Sequence, residues 1–292
     1  DGLLDGAPIT GVRYCADGSA MESAYNVVTV ETGGRAPVPL DFGDQTSAEV
    51  DAIVNWLRGL DQTGLRQRQV PTDFDLDGTP QTVTWRLGDV VHSTPIAVSR
   101  PGEGYHYIYR DQSYASFATH YNKRRHVIYF GANDGMLHAF RDCDGRELWS
   151  FVPEQVLPYL KDTTDGSHQY FVDSPPVAYV HDFDNDGIIE YTDGDRVVLV
   201  FGLRRGGSSD DIASGGPWGG YFAIDVSQPY LDSAPHNVGA PGYMSDGPKM
   251  VFSVDSSTSS FAEMGQSWSQ PRLGKILDNG VTKVVAFVRG GY

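Results

Sequence analysis

Three aspartates alternate along the stretch Asp182-Phe-Asp-Asn-Asp-Gly-Ile-Ile-Glu190. With Asp182 as position 1, carboxylates stand at positions 1, 3, 5 and 9, and Gly187 stands at position 6. Alternation aims the side chains of Asp182, Asp184 and Asp186 at one focus. The glycine lets the chain turn sharply, so that the carbonyl of Ile188 faces the same point. These are the oxygen donors that a hard cation needs, and Ca2+ suits them better than Mg2+, which requires a stricter octahedron. Without an ion, the like charges repel one another. Asp193, at position 12, is the alternative to Glu190 as last ligand. Glu190 is preferred because strands, not helices, are expected on both sides. A shorter echo, Asp73-Phe-Asp-Leu-Asp-Gly78, puts Asp73, Asp75 and Asp77 at the first three positions. There position 9 is Gln81, so the last carboxylate is missing, and Gln81 or Asp89 would have to contribute. The plainer reading of both loops is a solvated acidic turn.

Other reactive side chains carry weaker patterns. The eight histidines form no His-x-His or His-x-x-x-His pair. His138 alternates with Met136 and Phe140, as a residue with a structural role on a strand would. His92 precedes Ser93, but a nucleophile elbow needs Gly-x-Ser-x-Gly, which this stretch lacks. The glycine-rich Gly202-Leu-Arg-Arg-Gly-Gly207 follows a strand without a helix behind it, so it reads as a turn and not as a phosphate loop. Cys15 and Cys143 are the only cysteines. Two thiols do not make a zinc site, and the sequence leaves open whether they form a disulfide. No catalytic residue is assigned, and the chain reads as a non-enzyme.

The elements that must position these residues are mostly short strands. The 292 residues suffice for one large all-β domain or two smaller ones, and 40% hydrophobic against 21% charged residues is ordinary for a chain with a core. Residues 1–45 form a loop-rich lead-in. Residues 46–82 hold one helix and the first acidic loop. The helix starts at a capping box of Thr46 and Glu49, buries Val50, Ile53, Val54 and Leu57 on one face, and stops at Gly59. From residue 83 to 292 strands are expected at 90–98, 126–130, 136–140, 147–152, 176–180, 197–202, 221–226, 250–254 and 283–288. A short helix is expected at 153–161. Asn133-Asp-Gly135 and Asp142-Cys-Asp-Gly145 are hairpin signals. Hairpins in series suggest a sandwich or a propeller. The phrase Gly131-Ala-Asn-Asp-Gly-Met-Leu-His-Ala-Phe140, followed by Gly145-Arg-Glu-Leu-Trp149, favours a β-propeller of the quinoprotein-like type. The fold class is therefore mainly all-β, with one or two short helices. Two to three blades are expected, so the propeller is incomplete in this chain.

A formal net charge of −16 disfavours nucleic acid as a partner and suits a calcium-rich exterior. No apolar run is long enough for a transmembrane segment. The first residue is Asp1, with no signal peptide, so a processed form or an excerpt is expected, and the last residues read as cut near a strand.

Several phrases, in order, carry a family resemblance. They are Ile53-Val-Asn-Trp-Leu-Arg-Gly59, Arg86-Leu-Gly-Asp-Val-Val-His-Ser-Thr-Pro95, Ile128-Tyr-Phe-Gly-Ala-Asn-Asp-Gly-Met-Leu-His-Ala-Phe140 and Trp149-Ser-Phe-Val-Pro153. Tyr170-Phe-Val-Asp-Ser-Pro175, Gly219-Gly-Tyr-Phe-Ala-Ile-Asp-Val226 and Ser267-Trp-Ser-Gln-Pro271 follow. From about residue 46 onward the chain resembles the C-terminal propeller domain of the PilY1/PilC family, the tip-associated biogenesis factors and adhesins of type IV pili. The resemblance implies pilus biogenesis, surface adhesion and control by calcium. It implies pilins or minor pilins as partners, together with a host or abiotic surface. The implied location is extracellular, at the pilus tip or outer cell surface, after transit through the periplasm. The family's best-known calcium loop lies further along the propeller than residue 292, so the ligand reading of residues 182–190 rests on its own residues. Two alternatives stay open: a quinone-cofactor (PQQ-like) dehydrogenase on a similar propeller, or a purely structural scaffold for minor pilins.

Overall fold

The computed structural model describes residues 28–30, 43, 45–73, 77–99, 101, 102, 104–108, 110–120, 126–142, 145, 147–183, 195–206, 219–227 and 248–289. Cys15 and Cys143 lie outside them.

Helix α1 spans Ser47–Leu57, and its capping box is formed as the spacing of Thr46 and Glu49 predicts. The Glu49 carboxylate accepts from the Thr46 backbone N–H at 2.8 Å. Ile53, Trp56 and Leu57 are its buried residues. Gly59, at φ +91°, takes a backbone conformation that costs a side chain but suits glycine. A Cβ there would also collide with the Arg86 side chain.

Behind α1 stands a two-stranded hairpin, β2 (Gln69–Thr72) and β3 (Gln81–Thr84), which encloses the first acidic loop. The remaining strands form three further sheets. In the first, β4 (Ile96–Val98), β5 (Val127–Gly131), β6 (Leu137–Arg141) and β7 (Glu147–Val152) run as an antiparallel meander. β1 (Val28–Val30) adds to its outer edge, parallel to β7. The second sheet is the meander β8 (Val177–His181), β9 (Arg196–Gly202), β10 (Tyr221–Asp225) and β11 (Lys249–Val254). β12 (Arg272–Asp278) and β13 (Val281–Phe287) pair as a third unit. Its turn, Asn279-Gly280, has positive φ at both residues, the geometry that matches strand twist in a tight hairpin.

Period-two patterning explains how the sheets stack. β9 is buried on both faces, and successive side chains point to opposite sides. Val197, Leu199 and Phe201 join the large core shared with the first sheet, where Phe151 meets Phe201 edge-on at 6.1 Å. Val198 and Val200 form a second cluster with Ala223, against which Leu273 of β12 packs. The second sheet is therefore sandwiched between its neighbours. That is the face-to-face stacking of propeller blades, here as an open series.

Some elements differ from expectation. The expected strand 90–98 is reduced to Ile96–Val98, because residues 88–93 bond to other loops instead of to a ladder. The expected helix at 153–161 is a 3-10 helix, Glu154–Thr164, with Pro158, which has no N–H to donate, inside it. Two helices that sequence reading left out stand between β4 and β5: α2 (Tyr105–Ile108) and α3 (Gln112–His120). Among the described residues no helix is long and apolar enough to cross a membrane.

Candidate functional site

Loops that carry the signature phrases meet at one end of the sheets. In each meander the start of the first strand and the end of the second lie together, so the loops entering β4 and β8 and the β5–β6 turn share that end. Serines lock them. The Ser93 hydroxyl donates to the Ser174 carbonyl at 3.2 Å and accepts from the Gly131 N–H at 2.8 Å. The Ser267 hydroxyl accepts the backbone N–H groups of Leu203, Arg204 and Gly220 at 3.1, 3.0 and 3.2 Å. Asp173 holds His92 twice: its carboxylate accepts the His92 backbone N–H at 3.1 Å and lies 2.6 Å from the ring Nδ1. Ser93 is thus buried and engaged on both sides of its hydroxyl, which fits a latch and not a nucleophile.

A buried charge cluster sits just inside. His138 is almost fully buried; its Nδ1 lies 2.6 Å from Glu147 and its Nε2 lies 3.1 Å from both oxygens of Asp134. Burial alone would push the imidazolium pKa down. The two carboxylates outweigh it and hold the pKa at about 10, so His138 is a cation at neutral pH. Asp134 also accepts the backbone N–H groups of Gly88 and Met136 at 2.8 and 3.2 Å. The cluster thereby ties the β5–β6 turn to the segment that enters β4.

Beside this cluster opens a cleft of about 400 Å3. One wall comes from the approaches to the β2–β3 hairpin: Arg66, Arg68, Trp85 and Arg86. The other comes from the sheet loops: Asp89, Asn133, Asp134 and His168. The pairing of Gln69 with Thr84, continued by the Trp85 N–H donating to the Arg68 carbonyl at 2.8 Å, places Arg68 and Trp85 side by side. Trp56 anchors this wall. Its indole N–H donates to the Arg66 carbonyl at 2.8 Å, and the Arg68 guanidinium stacks 3.6 Å from its ring centroid. Arg68 also faces Asp61 at 3.5 Å. On the far wall Asp89 accepts from Asn133 at 3.0 Å and contacts His168 at 2.9 Å. Burial raises the Asp89 pKa, but these contacts more than offset it and leave it low. The cleft is not among the sites expected from the sequence. The signal was the pair of phrases Arg66-Gln-Arg68 and Trp85-Arg86, which become facing only once the hairpin register is known.

The acidic loops are described in part. In the first, both Asp73 oxygens are used: Oδ1 accepts the Asp77 N–H at 3.1 Å and Oδ2 the Gly78 N–H at 2.9 Å. Asp77 accepts the Thr79 N–H at 2.6 Å, and Gly78 has φ +86°. The chain thus curls around the position-1 carboxylate, as a cation loop must. Asp75 lies outside the described residues. Gln81 stands at the start of β3, opposite Thr72. Asp89, the other donor considered for this loop, belongs to the cleft. In the second loop only Asp182 of the predicted ligands is described; Asp184, Asp186, Ile188, Glu190 and Asp193 lie outside. Asp182 is fully buried and pairs with Lys275 of β12 at 2.8 Å. Buried Asp195 closes the loop by accepting the Phe183 N–H at 2.6 Å. Among the described residues no three His, Cys, Asp or Glu side chains are grouped to hold a metal.

A family model described as the PilY1 beta-propeller domain matches residues 87–292, well over half of the chain. The chain belongs to the PilY1 beta-propeller family. It is 31% identical over 246 residues to the type IV pilus biogenesis factor PilY1 of Pseudomonas aeruginosa strain UCBPP-PA14, which covers 81% of this chain and 17% of that protein. A type IV pilus biogenesis factor PilY1 homolog of Xylella fastidiosa is 38% identical over 149 residues, which is 49% of this chain and 11% of that protein. The chain thus spans less than a fifth of the length of these relatives. The crystal structure of the P. aeruginosa PilY1 C-terminal domain aligns with a TM-score of 0.41 and 27% identity, covering 65% of this chain and 30% of that one. The expected resemblance and the mainly β, incomplete propeller are borne out by the family match. The match begins within the latch phrase that starts at Arg86, so His92, Ser93, His138 and Asp173 all fall inside the propeller.

Proposed function

We propose that this chain is the propeller portion of a type IV pilus biogenesis factor that acts at the pilus outside the cell, binds calcium and contacts surfaces. The observation that carries it is the family match over residues 87–292, together with relatives that are named type IV pilus biogenesis factors. Pilins or minor pilins are the proposed partners. The role is non-enzymatic, which accords with the engagement of Ser93, His92 and His138 in buried contacts.

Calcium enters through the acidic loops. The curl of Asp73 onto the Asp77 and Gly78 amides supports a loop shaped for a cation, with Asp73, Asp75 and Asp77 as donors and Gln81 as the next. Asp182, Asp184, Asp186, the Ile188 carbonyl and Glu190 are the proposed donors of the second. A bound cation would neutralise clustered carboxylates and fix the loop. Calorimetric titration of chelator-treated protein tests this, with Asp184→Ala and Asp73→Ala as separate controls. Heat and a raised melting temperature at millimolar calcium, lost in part with each variant, are expected. No heat and no thermal shift would end the calcium reading. Capture of pilins that survives chelator would favour a scaffold that works without the ion.

A further inference from the structure

We propose that the cleft between the β2–β3 hairpin and the first sheet binds an acidic sugar, a saccharide unit that carries a carboxylate, such as a uronic acid. The proposal does not rest on the pilus or calcium reading.

Charge comes first. Acidic residues outnumber basic ones 38 to 22 in the chain, yet three arginines and a histidine converge on this cleft. Arg68 is engaged by Asp61 and stacked on Trp56, and His168 by Asp89. Arg66 and Arg86 have no ion-pair partner among the described residues, although carboxylates are abundant. Both are exposed. Arg86 is nonetheless positioned, because its stem lies where any side chain at position 59 would collide. Arg66 is fixed through its backbone: its carbonyl accepts from Trp56, and its N–H donates to the Thr164 carbonyl at 2.7 Å. Asp165 feels the Arg66 charge at longer range, and Asp89 and Asp134 line the cleft, but Asp89 is engaged by His168 and Asn133 and Asp134 by His138, so Arg66 and Arg86 are the cations left to meet a planar carboxylate.

The second half of the recognition is apolar. Trp85 lines the same cleft and leaves 57% of its surface exposed, the cost of which a stacked ligand would relieve. A pyranose ring offers such a face of C–H groups, and its hydroxyls match the side-chain amides of Gln67 and Gln169 in the lining. The volume, about 400 Å3, lies in the range of small-molecule sites. An acidic peptide would also satisfy the arginines. It would use an unpaired strand edge for its backbone, whereas Val70 is the one strand residue in this lining, beside Trp56 of α1, Thr163 of the 3-10 helix and loop residues.

The test uses the full chain in calcium-containing buffer. Tryptophan fluorescence and saturation-transfer NMR follow titration with digalacturonate, with maltose as the neutral sugar and tetraglutamate as the acidic peptide. Digalacturonate is expected to bind saturably and about tenfold or more tightly than maltose, with affinity falling as salt rises. Trp85→Ala and Arg86→Gln should each weaken it about tenfold without moving the melting temperature. If Arg86→Gln does not fold, Arg66→Gln replaces it. No saturation up to about 10 mM digalacturonate overturns the proposal. Equal binding of maltose overturns the carboxylate role. Tighter binding of tetraglutamate assigns the cleft to a protein segment instead. Full affinity in both variants places the sugar elsewhere. None of these outcomes touches pilin capture or calcium heat, so the two readings fail separately.

Discussion

His138 shows how one side chain can make a propeller blade sensitive to pH. Its imidazolium lies between Asp134 and Glu147 and is almost fully removed from water. A buried ion pair gains little over a well-packed apolar substitute, but breaking one is expensive, because a charge is left without its partner. The sign of the pH effect follows from the raised pKa. The folded protein holds this proton up to about 10, whereas the unfolded chain releases it near the ordinary value of 6.5. The stabilisation is therefore complete below about pH 6.5 and is lost as pH rises through about 10. Urea unfolding from pH 6 to 10 should show falling stability on the alkaline side. His138→Gln should lose about 3–5 kcal/mol at pH 6 and flatten that alkaline limb. An imidazole that NMR shows to titrate near 6.5 in the folded protein would contradict the assignment, whether or not the variant folds.

At the scale of elements, the joints between sheets matter more than the strands. Ser267 serves three backbone N–H groups from the end of β9 and the start of β10, and its side chain is fully buried. Ser267→Ala takes the acceptor from the Arg204 and Gly220 N–H groups, while the Leu203 N–H keeps the Gly220 carbonyl at 3.1 Å, and unsatisfied buried groups cost about 1–3 kcal/mol each. A loss of about 2–4 kcal/mol in chemical unfolding is expected. A loss under about 0.5 kcal/mol would show that the hydroxyl is dispensable. Such joints mark the limit of what patterning reveals. α1 was legible because Thr46 and Glu49 cap it and Ile53 and Leu57 repeat at helical spacing. The β5–β6 and β6–β7 hairpins were legible from their Asn, Asp and Gly turns. α3 was missed, although Asp111 accepts the Tyr114 N–H at 3.1 Å as a cap would, and Tyr114 and Phe117 share a buried face. β12 was missed although Asn279-Gly280 signals its turn. The cleft was out of reach for another reason. Arg66 and Arg86 are twenty residues apart in sequence, and only the register of β2 on β3 and the docking of Trp56 bring them together.

At the scale of the whole molecule, packing and charge pull in opposite directions. Phe201 stands where the first two sheets meet, against Phe151 at 6.1 Å and Phe222 at 5.3 Å, so Phe201→Ala should cost about 3–5 kcal/mol in urea unfolding. A cost under about 1 kcal/mol would mean that the sheets do not stack through this residue. Against that core works a net charge of −16. Part of it is already compensated at the second acidic loop, where Lys275 of the third unit reaches across to buried Asp182. Loop charge and sheet-to-sheet contact are thereby coupled, so a cation that draws on the 182–190 carboxylates acts on the joint between β8 and β12 as well as on the loop. Monovalent salt should raise the melting temperature gradually, by screening self-repulsion over distances of about 10 Å at 0.1 M. Calcium should do more at the same ionic strength. At a free concentration near one hundred times its dissociation constant, one site adds about 2.7 kcal/mol, or about 5 °C for a chain of this size. Magnesium should reproduce only the screening part, and Asp184→Ala should lose the calcium increment while keeping the response to salt. Scanning calorimetry in matched sodium, magnesium and calcium chlorides separates the two. If magnesium equals calcium, the acidic loops respond to bulk charge alone and the coupling through Lys275 is electrostatic background.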